Sequence, residues 1–88
     1  MFDQNQQEIK NYKMTYDSDH DVLYLYFGEP RTSYEDETAP DIFIRISEDD
    51  DEVITGLIII DYKKKDTKKI KKMIPINLNF DNINQLIN

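Results

Sequence analysis

The fold is decided by residues 53–62, which read VITGLIIIDY. Side chains alternate between the two faces of a strand, so Leu57 and Ile59 point to one face and Ile58 and Ile60 to the other. A strand that is apolar on both faces is typical of the centre of a sheet. We therefore expect a central strand here, and we expect the face of Ile58 and Ile60 to be covered as well.

Residues 12–27 predict a β-hairpin. Residues 12–16 and 22–27 are rich in aromatic, β-branched and leucine residues, which favour strands. The residues between them, 17–21, are the polar types that form tight turns. The two segments therefore form neighbouring antiparallel strands.

A second hairpin is predicted from residues 42–62. In residues 42–46 three isoleucines alternate with Phe43 and Arg45, and the acidic residues 48–52 then form a tip before the central strand. Residues 28–40, between the two hairpins, hold one glycine, two prolines and five charged residues. That composition predicts a long irregular connection.

The C-terminal segment predicts two short helices. Residues 63–72 contain seven lysines, and Asp66 and Thr67 are suitable caps for a helix over about residues 68–73, which Pro75 would end. The spacing of the following apolar residues suits one face of a terminal helix: Phe80, Ile83, Leu86 and Ile87. This stripe either lies on the second face of the sheet or packs against a second copy of the chain, with which it could also exchange.

The predicted fold class is α+β, a small four-stranded antiparallel sheet of two hairpins with a C-terminal helical segment packed on one face. Residues 1–11 are interpreted as a flexible leader. Residues 12–88 form a single domain, with the sheet core in residues 12–62 and a basic and helical segment in residues 63–88. A domain of this size buries a small core, so a homodimer would add stability.

Composition argues against several classes of protein. The chain has no cysteine, which excludes disulfides, thiolate metal sites and a cysteine nucleophile. His20 is the only histidine, so a nucleophilic triad lacks a base, and the carboxylates fall in solvated runs. We therefore predict no catalytic residue, no enzyme activity and no cofactor. The absence of an apolar span or a signal peptide predicts a cytoplasmic protein without membrane contact, and the net charge of −7 disfavours nucleic acid.

Three motifs resemble a known family: MTYD at residues 14–17, DVLYL at residues 21–25 and GLIIID at residues 56–61. In order and spacing they resemble the domain of unknown function family 2283, which consists of small prokaryotic proteins. The chain departs from it at His20, where the family has a small residue, in the second hairpin turn, which lacks the usual glycine, and at Ile58, which replaces a glutamate. The last departure agrees with a covered second face. The resemblance implies a fold and, because some members are encoded beside toxin-like genes, an antitoxin-like role.

Two groups of residues are candidates for binding a protein partner. The aromatic residues Tyr24, Tyr26 and Phe43 could form an interface, since aromatic side chains give large contact area at low entropy cost; core packing is the alternative. The acidic tip, Glu48, Asp49, Asp50 and Asp51, could meet a basic protein such as a toxin, or could be a solvated loop.

The basic run of residues 63–72 has seven lysines and one aspartate, a charge of +6, which leaves −13 on the rest of the chain. We favour its pairing with the acidic tip of the same or a neighbouring molecule. Binding of phosphate or RNA is the alternative, which no aromatic among the lysines supports.

Asp17, Asp19 and Asp21 could hold a cation, because they alternate as the first ligands of a calcium loop do. An EF-hand loop also needs glycine at its sixth position and glutamate at its twelfth, where this chain has Val22 and Gly28. We favour a structural role in the turn. The alternative function that these residues offer is a protein that binds a small ligand or a divalent cation.

Overall fold

The computed structural model describes residues 7–8 and 11–87. The expected flexible leader, residues 1–11, lies outside the described residues except for residues 7, 8 and 11. In chain order the elements are β1 (Gln7–Glu8), β2 (Tyr12–Asp17), β3 (Val22–Phe27), β4 (Ser33–Ala39), β5 (Ile42–Ser47), β6 (Ile54–Ile60), a 3₁₀ turn (Tyr62–Lys64), α1 (Thr67–Met73), β7 (Ile76–Asn77) and α2 (Phe80–Ile87).

The main sheet has five antiparallel strands in the order β2-β3-β6-β5-β4. Strand β6 lies at its centre, as its apolar sequence predicts. The two predicted hairpins, β2 with β3 and β5 with β6, are both present. The fold class is therefore confirmed as α+β with an antiparallel sheet, but the predicted strand number of four was wrong.

The fifth strand, β4, lies in residues 28–40, which the sequence suggested to be irregular. Its seven residues pair with β5, and the register shifts between Glu37 and Ala39. As an edge strand, β4 buries neither face and accommodates charged residues, which also oppose pairing with the edge of another sheet. Pro30 and Pro40 lie just outside the strand, where a missing backbone N–H breaks no ladder bond.

The C-terminal segment covers the face of Leu57 and Ile59. Its buried apolar residues join one core cluster with that face: Ile70, Ile74, Ile76, Leu78, Phe80 and Ile83. The prediction that the C-terminal stripe lies on the face of Ile58 and Ile60 was wrong for the residues that the structure describes, and cover by a second copy stays a prediction. The covered face is the more apolar one, because Leu23, Leu25, Ile42 and Ile44 also lie on it.

Side-chain caps begin both predicted helices. The Asp66 carboxylate accepts a hydrogen bond from the Lys68 N–H at 2.9 Å, which starts α1. The Asn79 side chain accepts one from the Asn82 N–H at 3.2 Å at the start of α2. On α2, Ile83 is buried but Leu86 is 66% exposed, so only part of the predicted stripe packs on the sheet.

The short strands β1 and β7 form a separate parallel pair. Among the described helices, none has the length and apolar character needed to cross a membrane.

Candidate interaction surface

On the sheet face opposite the helices, two rows of residues cross all five strands. We call these ten residues the outer face. The register of the sheet gives the first row as Lys13, Tyr26, Gly56, Arg45 and Glu35, and the second as Thr15, Tyr24, Ile58, Phe43 and Glu37.

The centre of the outer face is apolar and partly open to solvent. Tyr24, Phe43 and Ile58 are half-buried by their neighbours in the sheet, and Tyr26 is 39% exposed. The described elements outside the sheet contribute their buried side chains to the opposite face. The aromatic residues predicted to bind a partner therefore lie together on one surface.

Gly56 lets Arg45 reach across the central strand. The Arg45 guanidinium lies 5.8 Å from the centre of the Tyr26 ring, on the far side of Gly56 in the same row. This is a cation–π distance. Among the described residues, the buried Arg45 Nε atom has no hydrogen-bond acceptor, and the cross-strand neighbour of Arg45 on its other side is Glu35.

Charge on the outer face is separated between its two margins. Lys13 is exposed on the β2 edge, whereas Glu35 and Glu37 are exposed on the β4 edge. The two margins lie about 20 Å apart, because five strands at about 4.8 Å spacing separate them by four intervals. The outer face thus has a basic margin, an apolar centre and an acidic margin.

The acidic tip lies beside the beginning of β4. The Glu48 N–H donates to the Thr32 carbonyl at 3.0 Å, and the Ser47 N–H donates to the Val53 carbonyl at 3.0 Å. The four tip residues predicted to bind a partner, Glu48, Asp49, Asp50 and Asp51, are all exposed. Together with the charged edge of β4, the tip makes a large acidic surface on one side of the sheet.

The carboxylate of Asp17 organises the first hairpin turn. It accepts hydrogen bonds from the backbone N–H groups of Asp19 at 3.1 Å and His20 at 3.3 Å, and its second oxygen lies 2.8 Å from the His20 Nδ1. The hydrogen bond from the His20 side chain holds the pKa of Asp17 below its usual value. These are the bonds of an Asx turn, in which the side chain stabilises local backbone.

Asp21 joins the turn to the basic run. The residue has a left-handed backbone, with φ of 55°, and its carboxylate accepts the Tyr16 hydroxyl at 2.6 Å and the Lys63 N–H at 3.1 Å. Desolvation raises the pKa of Asp21, but these two hydrogen bonds outweigh it and the net pKa is lowered. The same bond to Asp21 raises the pKa of Tyr16 to about 12.

The predicted cation ligands do not form a metal cluster. Among residues 7–8 and 11–87, no three His, Cys, Asp or Glu side chains are placed to hold a metal ion together. The carboxylates of Asp17 and Asp21 instead bond to different groups on different sides of the turn. This geometry favours the structural role of the turn.

The first lysines of the basic run lie at the end of the sheet opposite the acidic tip. The Lys65 Nζ donates to the Ile60 carbonyl at 2.6 Å and is 3.9 Å from the Asp41 carboxylate. The Lys64 Nζ is 4.0 Å from the Asp61 carboxylate. The pairing of the run with acidic groups is thus seen for these two lysines, but their partners are not in the tip.

Sequence reasoning missed the charged residues of the outer face. Lys13, Glu35 and Glu37 became part of the surface only once β4 and the register were known. Arg45 was visible as the polar residue among alternating isoleucines, which was the one signal that placed it on this face.

The fold and the surface define a class of small α+β protein, in which helices cover one face of an antiparallel sheet and no described residue outside the sheet covers the other. The family described as Protein of unknown function (DUF2283) matches residues 13–63, more than half of the chain. The chain belongs to this family. No curated protein matches it, and no solved structure does. The matched residues include the first hairpin from residue 13 onwards, all of the outer face and the acidic tip.

Proposed function

We propose that the protein is a non-enzymatic interaction module that binds a protein partner through the outer face. The observation that carries this proposal is the open apolar centre formed by Tyr24, Tyr26, Phe43 and Ile58. A contiguous apolar patch rimmed by charged groups marks an interaction site, and aromatic residues dominate the binding energy of such sites.

The acidic tip and the acidic margin support a basic protein as one partner. Complementary charge steers association and excludes acidic competitors, because like charges brought together at an interface repel strongly. We further propose an antitoxin-like role, in which the acidic surface meets a basic toxin. Action in the cytoplasm is part of this proposal.

A capture experiment with matched variants tests the proposal. Wild-type protein immobilised on resin would be exposed to lysate of the source cells, and stoichiometric proteins would be identified by mass spectrometry. Phe43→Lys removes an apolar side chain at the centre of the outer face. Because the substituted side chain lies opposite Glu37, its cross-strand neighbour, we expect the fold to be retained, which circular dichroism would check. We expect this variant to lose the partner.

Leu86→Lys is the matched control, because Leu86 is also an exposed apolar side chain but lies on α2, on the other side of the sheet. It should capture the partner as well as the wild type does. A partner retained by Phe43→Lys, or lost equally by Leu86→Lys, would show that the outer face is not the binding surface.

A further inference from the structure

We propose that a second copy of this chain occupies the outer face, packed sheet to sheet about a two-fold axis parallel to β6. The inference rests on the proposed function, because it names the occupant of the same surface. It is drawn from the order of charged and aromatic residues along the two rows. When the same row of a second copy is laid against it in reverse order, groups that attract each other come face to face.

An axis parallel to β6 reverses the strand order but keeps each residue in its own row. Strand β2 then faces β4 of the second copy, β3 faces β5, and β6 faces itself. In the first row, Lys13 faces Glu35 of the second copy, while each Arg45 lies across Gly56 against the Tyr26 ring of its own chain. Opposite charges therefore meet at both margins of the interface.

The second row brings mainly apolar side chains together. Tyr24 faces Phe43 of the second copy, Ile58 faces Ile58, and Thr15 faces Glu37. Packed sheets differ in strand direction by about 30°, so pairs near Ile58 keep this register most closely. The pairs at the margins depend on the length of Lys13 and Glu35, whose side chains can span the displacement.

The other face-to-face arrangement has its axis perpendicular to the strands, and it is disfavoured by charge. That axis exchanges the two rows but keeps each strand on itself. Glu35 would then face Glu37 of the second copy at two symmetry-related positions, and Arg45 would face Phe43. The acidic margins would repel each other, whereas the parallel axis places Glu35 opposite Lys13 and Glu37 opposite Thr15.

The whole side of the sheet opposite the helices, which extends beyond the ten residues of the outer face, sets the upper limit of the interface. Five strands at about 4.8 Å and a length of roughly 20 Å give a plane of roughly 500 Å² per copy, or about 1,000 Å² for the pair. This lies below the roughly 1,200 Å² of stable specific interfaces, in the range of weak and transient ones. We therefore expect a micromolar rather than a nanomolar dissociation constant, and sedimentation should show monomer and dimer exchanging between about 1 μM and 1 mM.

Single cysteines can locate the axis, because the chain has no native cysteine. Ile58→Cys should be cross-linked into a dimer by a short bis-maleimide, since the axis passes beside Ile58 and packed sheets lie about 10 Å apart, too far for a direct disulfide. Thr15→Cys is the matched control on the same row, and its two copies would lie about 20 Å apart, two strand spacings on either side of the axis. It should stay monomeric alone but be cross-linked when mixed with Glu37→Cys.

Charge exchange tests the margins independently. Lys13→Glu and Glu35→Lys each bring two like-charged pairs together in the homodimer, so each should weaken self-association about tenfold. An equimolar mixture of the two variants restores both opposite-charge pairs and should associate as the wild type does. Both residues are exposed on edge strands, so circular dichroism of the variants should match the wild type.

The outcomes separate this inference from the proposed function. A protein that stays monomeric at about 1 mM, with no cross-linked dimer in Ile58→Cys, would overturn the dimer. If Phe43→Lys still lost a captured partner, the interaction module would stand with another occupant. Cross-linking of Thr15→Cys alone, with none in the Thr15→Cys and Glu37→Cys mixture, would overturn the parallel axis.

Discussion

Replacing Gly56 by alanine should destabilise the protein, although alanine is the better residue for a strand. A Cβ atom at this position would lie 2.6 Å from the Leu25 carbonyl oxygen, closer than real Cβ atoms come to another atom, and 3.3 Å from the Cδ of Arg45. Arg45 can swing away. The Leu25 oxygen cannot, because it belongs to the backbone of β3, which is paired with β6 over five residues.

The two opposing effects can be compared in size. Intrinsic preference favours alanine over glycine in a strand by about 0.5–1 kcal/mol. Overpacking against an immobile backbone atom costs about 1–3 kcal/mol, since β3 and β6 must separate to make room. We expect the free energy of unfolding to fall by about 1–2 kcal/mol. With a urea slope of about 1 kcal/mol per molar, the midpoint should fall by about 1–2 M.

Urea titration followed by tyrosine fluorescence provides the assay, because the chain has six tyrosines and no tryptophan. Gly28 is the matched control, since a Cβ there meets nothing within 4 Å but the backbone has φ of +68°. Gly28→Ala should lower the free energy of unfolding by about 1 kcal/mol through backbone strain alone, and Gly28→Asn should recover most of that loss. A Gly56→Ala protein as stable as the wild type would refute the packing argument.

Three further predictions concern the caps and the turn. Asp66→Ala removes the bond to the Lys68 N–H and should lower the free energy of unfolding by about 1 kcal/mol in the same titration. The bond to Asp21 raises the pKa of Tyr16 to about 12, so Tyr16 ionises at a lower pH in the unfolded chain than in the folded protein. The stabilisation that this bond contributes is complete below about pH 10 and is lost as the pH rises towards 12. Thermal melts at several pH values should show a shallower fall in Tyr16→Phe. Calcium should not shift the melting temperature of either the wild type or Asp19→Ala. A stabilisation of several degrees in the wild type that is lost in Asp19→Ala would instead establish a cation site.

Hydrophobic patterns predicted the central strand, the two hairpins and α2, because each of these elements buries regularly spaced apolar residues. The position of α1 was readable from Asp66, since a capping carboxylate acts within two residues. Strand β4 could not be found in this way. An edge strand that buries neither face needs no apolar alternation, and its pairing with β5 depends on contacts distant in sequence.

The choice of face was also beyond the sequence. Ile58 and Ile60 suggested that the C-terminal segment covers their side of the sheet, but a single strand does not reveal the sum of side chains on each face. The strand register places Leu25 and Ile44 on the same face as Leu57, and the C-terminal segment covers that face. The aromatic residues of the candidate site could be named from the sequence, because each one lies within a predicted strand.

The parallel axis has a consequence for the acidic tips. Because this axis keeps the position of each residue along the strands, the tips of both copies lie at the same end of the dimer. A perpendicular axis would place them at opposite ends. The shared end would concentrate the carboxylates of Glu48, Asp49, Asp50 and Asp51 from two chains, so one basic partner could contact both tips at once. We therefore expect one partner for each dimer, and its capture should weaken in Lys13→Glu, which leaves the tips intact but separates the copies.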